Sequence, residues 1–183
     1  MTLRYRIASV AAAFFATMVA APAASAQSAF AGEQHRAIKS LSEKEIDDLR
    51  EGRGVGLARA GELNRYPGPM HVLDLAVQMN VTAEQRAEIE TSMAAMRMSA
   101  KKLGAEIIAL EGRLDGAFAG RMIDASSLEE LTRMIGEKQG ALRATHLAAH
   151  LETTAILTPA QIAHYDALRG YAAGSANSPA PSH

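Results

Sequence analysis

His146 and His150 stand four residues apart, His146-x-x-x-His150. On a helix that spacing puts two imidazoles on one face, a turn apart, where they can share one ion. Neutral imidazole suits a divalent transition metal: Zn, Cu, Ni or Co. The competing reading is a polar pair at a bundle edge, with His146 satisfied by a carbonyl or carboxylate. His71 opens an earlier helix. If that helix packs beside the end of the one carrying the pair, the metal site has three imidazoles; otherwise His71 faces solvent. Glu62, Asp74 and Glu152 are the acids available behind these rings or as a fourth ligand. His35 and His164 are expected in solvent.

Met93, Met96 and Met98 offer soft sulfur, the donor set of copper(I). Met93 and Met96 fall on an apolar helical seam, however, so core packing is the expected role. Gly52-Arg53-Gly54-Val55-Gly56 lacks the third glycine and preceding strand of a dinucleotide fingerprint and reads as a turning connector. The sequence has no nucleophile elbow, no His-Glu-x-x-His and no phosphate loop, so no enzyme is expected.

The elements that must position these residues are helical. Val81-Thr82-Ala83-Glu84-Gln85 and Leu157-Thr158-Pro159-Ala160-Gln161 share the pattern apolar-Thr-x-x-Gln. Threonine caps a helix start, and glutamine three residues on reaches back to the cap N–H. Pro159 takes a first helical position, where a missing N–H costs nothing. Between the two motifs, Ile89, Met93, Met96, Ala100, Leu103, Ile107, Leu110, Leu114 and Ala117 alternate spacings of four and three, a heptad seam. Ala119–Asp124 makes the bend, and Ser126 or Ser127 is expected to cap the return helix. There Leu128, Leu131, Ile135, Leu142, His146, Ala149 and Thr153 share a face, with Leu147 and Leu151 on another. Upstream, Ser42-Glu43-Lys44-Glu45 starts a short helix to Arg50, Leu57–Asn64 gives one or two turns, Tyr66-Pro67-Gly68-Pro69 breaks the chain, and a helix runs from Met70 to Met79. The last helix spans Pro159 to about Tyr171. The fold class is all-α: a long antiparallel helical hairpin with short flanking helices.

Arg4 and Arg6, the apolar run Ile7–Ala21 and Ala24-Ser25-Ala26 read as a signal peptide (1–26), cut before Gln27, which implies export to the periplasm. The rest divides into an N-terminal arm with a short helix and a Gly/Pro-rich connector (27–69, mobile up to residue 41), a hairpin core (70–171) and a disordered tail (172–183). The chain has no cysteine, so there is no disulfide and no thiolate metal site. Its formal net charge is −1 at pH 7, more acidic once Arg4 and Arg6 are removed, and this excludes the basic footprint of a nucleic-acid binder.

The paired motifs in a cysteine-free exported chain resemble the Spy/CpxP group of periplasmic stress proteins, which includes the zinc-resistance-associated protein and the heavy-metal sensor CnrX. The likeness covers about Met70 to Tyr171. The second motif matches in full, and the first has Val81 in place of leucine. The resemblance implies a four-helix hook that forms a homodimeric cradle and a non-enzymatic role in envelope stress or heavy-metal response. In the sensor branch, metal is held by imidazoles near the first core helix and by a late His-x-x-x-Met pair. Here the late pair is His146-x-x-x-His150, and the early position offers His71, with Leu75 four residues on. Two other roles stay open: a metal-independent chaperone for unfolded client proteins, and a regulatory partner of a membrane-bound sensor.

Overall fold

The structure, a computed structural model, describes residues 28–172. The signal-peptide reading and all but the first residue of the tail fall outside this range. Residues 28–32 belong to a separate unit, a turn in which the Ala31 amide donates to the Ser28 carbonyl. Everything below concerns the unit that starts at Glu33. No strand occurs among the described residues. The helices are α1 (Glu43–Arg50), α2 (Arg59–Glu62), α3 (Pro69–Asp74), α4 (Ala83–Ala119), α5 (Ala125–Ile156) and α6 (Pro159–Leu168).

The expected all-α hairpin is α4 packed antiparallel on α5, of 37 and 32 residues. Ser92 pairs with Glu152 near its base and Lys138 with Glu106 further along, so one register runs between these rungs without slip. No seam residue of α4 is exposed, and Ile89, Ala100, Ile107 and Leu110 are buried. The core divides into three clusters along the hairpin: Leu110, Leu131 and Ile135 toward the tip, Ala100, Ile107 and Leu142 in the middle, and Val72, Met79, Ile89, Leu157 and Tyr165 at the base. Helices α1 and α3 pack on α4, and α2 packs on α5.

Both threonine motifs form complete capping boxes. Their glutamines also do something the local pattern does not announce: they bond each other. Gln85 Nε2 donates to Gln161 Oε1 at 3.0 Å, and Gln161 Nε2 donates to Gln85 Oε1 at 2.9 Å. The second proton of each amide goes to a carbonyl just ahead of the other motif, Ile156 O for Gln85 and Asn80 O for Gln161. Each Oε1 also accepts its own cap amide, from Thr82 and Thr158. Two donors and two acceptor sites are all a carboxamide has, and all are used.

Several boundaries differ from the sequence reading. The cap of α5 is Asp124, not Ser126 or Ser127; its carboxylate accepts the Ser127 amide at 2.8 Å, and Ser127 Oγ accepts the Asp124 amide. The α3 ladder stops at Asp74 instead of Met79. Residues 75–80 form one further turn, closed by left-handed Asn80 (φ 51°) with the Val81 amide returning to Ala76 O. Gly52, Arg121 and Gly170 close α1, α4 and α6 in the same way, each followed by an amide that reaches five residues back, the Schellman arrangement. Helix α6 ends at Leu168, before Tyr171. The last part of the arm is tied along α4 where the sequence suggested mobility: Lys39 pairs with Asp115, and Ser40 Oγ donates to Glu111 Oε2 at 2.7 Å.

Candidate functional site

Between the middle and basal clusters the hairpin and the N-terminal elements border an open cavity of about 1080 Å³, lined by His71, His146, His150, Met93, Met96 and Arg97 among others. The hairpin register sets Met93 and Met96 of α4 level with the turn of α5 that carries both late histidines. The packing of α3 against α5 brings His71 to the same cavity. Among the described residues, no three His, Asp or Glu side chains are grouped as a metal-holding set. What the fold assembles is three imidazoles on one wall system, without a converged triad.

His146 is 6 % exposed, and its Nε2 is buried with no hydrogen-bond partner. Desolvation favours the neutral ring, and the neighbouring charge of His150 acts the same way, so its pKa lies below the ordinary imidazole range. A neutral ring at neutral pH leaves that nitrogen a lone pair or a proton with nothing to meet. Over the other nitrogen lies the backbone of Gly54, where a Cβ would come 2.9 Å from Nδ1.

His150 is differently engaged. Its Nδ1 is 2.7 Å from the Tyr66 carbonyl, and a carbonyl only accepts, so Nδ1 carries the proton. In the neutral ring Nε2 then carries the lone pair. Gly68 lies above it: a Cβ there would sit 2.9 Å from Nε2 and 2.8 Å from Cε1. The glycine connector, which the sequence presented as a mere turn, thus covers both late histidines with bare backbone. No positive φ demands glycine at Gly54 or Gly68; the close approach does.

Glu62 anchors this cover. Its Oε1 accepts from the Tyr165 hydroxyl at 2.6 Å and from the Tyr171 hydroxyl at 3.2 Å, and its Oε2 accepts from the Gly68 amide at 3.3 Å. Arg169 Nε stands 3.4 Å from Oε1, and His150 Nδ1 is 3.9 Å from Oε2. Burial, with the Glu62 carboxylate beside it, pushes the Tyr165 phenol well above the usual tyrosine range, so it remains a donor. Of the three acids singled out from sequence, only Glu62 meets the histidine pair. Asp74 lies 3.9 Å from His71 on its own helix, and Glu152 accepts from Ser92. His71 is half-buried, and His35 and His164 are exposed as expected. Tyr165, Tyr171 and Arg169 carried no signal in the sequence, because their role rests on Glu62, about a hundred residues away.

No protein-family model matches the chain, and neither a curated protein nor a solved structure matches it.

Proposed function

We propose that this is a non-enzymatic exported protein of the Spy/CpxP kind that binds a divalent transition metal through His146 and His150, with His71 at the same cavity. The observation that carries the reading is the buried His146 Nε2 without a partner, on the wall that also holds His150 and His71. A buried polar atom left unpaired costs about 1–3 kcal/mol, which a bound ion offsets. The His150 tautomer suits the same role: the Nδ1 proton on a backbone carbonyl orients the ring and leaves Nε2 as the nitrogen that can ligate. Because Gly68 lies over that nitrogen, coordination there moves the connector. Metal occupancy is thereby coupled to the shape of the surface around residues 52–70, as a metal-responsive partner of a membrane sensor requires.

Calorimetric titration of residues 27–183 with Zn, Cu, Ni and Co is the test. One ion per chain is expected, with binding lost in the His146→Ala/His150→Ala double variant. Unchanged binding in that variant removes the site.

One observation favours a second reading. Val55, Leu63 and Met70 line the cavity yet are 67 %, 58 % and 52 % exposed, an apolar rim suited to an unfolded client. On that reading the protein, as a homodimer, suppresses aggregation of a denatured client equally well with a chelator present. Activity that disappears on chelation sinks the metal-independent version.

A further inference from the structure

We infer that the cleft holds a soft monovalent cation, copper(I) or its analogue silver(I), between the thioethers of Met93 and Met96 and the imidazole of His146. This deepens the metal reading and rests on it only for His146 as a ligand.

Met93 and Met96 are three apart on α4 and so share a face. Their seam positions predict enclosed core. Met79 shows what an enclosed methionine looks like here: 1 % exposed within the basal cluster. Met98 shows the opposite, at 71 % exposed. Met93 and Met96 are neither. Both are half-buried and border the cavity, opposite the turn of α5 bearing His146 and its unpartnered, buried Nε2.

The donor chemistry then selects the ion. With no cysteine in the chain, methionine is its only soft donor, and thioether with imidazole suits copper(I). Two of the acids on the cavity wall are committed elsewhere. Asp48 is held by Lys44 and Arg53 at 2.6 Å each, and Glu62 by Tyr165, Tyr171 and Gly68. The other two acids of the lining, Glu43 and Asp47, share it with Lys44, Arg53, Arg59 and Arg97, so the wall carries no excess of negative charge for a doubly charged ion. A singly charged ion loses less hydration energy than a doubly charged one on entering such surroundings, so it needs no compensating carboxylate.

The test is competition for copper(I) against a chromogenic chelator under reducing, oxygen-free conditions, with zinc titrated in parallel. The chains compared are the parent, Met93→Leu/Met96→Leu and His146→Ala/His150→Ala. Leucine conserves volume and keeps the seam packed, which a circular-dichroism melt verifies. Losing an outer-shell partner of a metal ligand costs about 10–100-fold in affinity, so losing the two thioethers is expected to weaken copper(I) by at least about tenfold. Zinc binding should be unchanged. Equal copper(I) affinity in the parent and the leucine variant overturns the inference and leaves the histidine site standing. Zinc binding that survives in the histidine variant overturns the divalent reading instead. X-ray absorption of the copper(I)-loaded parent is the second measurement: sulfur neighbours at copper support the site, and a nitrogen-and-oxygen-only shell excludes it whatever the variants do.

Discussion

Alanine at Gly104 is expected to destabilise the chain by about 3 kcal/mol, the upper end of what overpacking costs. Gly104 lies in the middle of α4, buried against α1. A Cβ there would overlap the Leu49 carbonyl oxygen and lie 2.7 Å from its carbonyl carbon. The obstacle is backbone, which cannot rotate away, and Leu49 O also accepts the Gly52 amide that closes α1. Helix α1 must therefore lift off α4. For a chain of this size the melting temperature should fall by roughly 6–12 °C. Gly136 and Gly140 on α5 provide the control: they are also interior helical glycines, but nothing lies within 4 Å of an added Cβ. Alanine at either should stabilise by about 0.5–1 kcal/mol from helix propensity alone. A Gly104→Ala chain that melts with its parent would mean that α1 is not seated as described.

The loss would reach the histidine cleft. Helix α1 leads directly into Gly52, which packs on Arg97 and Ala100 of α4, and from there into Gly54 over His146. Seating α1 is what starts the connector at the right place on the hairpin. Glu62 and its two tyrosines fix the far end over His150. The cover is held at two points, and the histidines lie between them.

What was legible in the sequence was local. Ser42, Thr82 and Thr158 declare their helices because cap and box partner are three residues apart, and the seam declares the hairpin because its period is internal to one helix. Even the error at α5 is local: a search for Ser or Thr followed by Glu or Gln passes over Asp124 with Ser127, although an aspartate can cap and a serine can return the bond. The turn at 75–80 kept the burial pattern of a helix, with Val72, Ala76 and Met79 all buried, so periodicity alone could not reveal that the ladder stops at Asp74. The site was half legible. His146 and His150 announce themselves by spacing. Their covering glycines do not, because Gly54 and Gly68 are needed for space against rings about ninety residues away. The one available signal was an excess: alternating glycines at 52, 54 and 56 are more than a turn requires.

The Gln85–Gln161 pair separates those two levels experimentally. Gln85→Ala and Gln161→Ala should each cost about 1–3 kcal/mol, because each strands a cap amide, a carbonyl and half of the partner amide. If the glutamines served only their own capping boxes, the double variant would cost the sum of the two to within about 0.5 kcal/mol. The reciprocal bonds predict less than the sum, with a coupling of about 1 kcal/mol or more in urea denaturation. Gln85→Glu sharpens the point. As a carboxylate it still accepts from Thr82 and Gln161, but it can no longer donate, and it faces Gln161 Oε1 and Ile156 O, both acceptors. At neutral pH its deficit reads the two lost donations, and a Gln85→Glu chain as stable as its parent would mean that the amides meet only in passing. The pair closes the base of the hairpin beside Val72, Met79 and Tyr165, the cluster that seats α3. Breaking it should loosen His71 from the cavity while leaving His146 and His150 on α5 in place, so a metal titration of the same variants reads whether His71 contributes to binding.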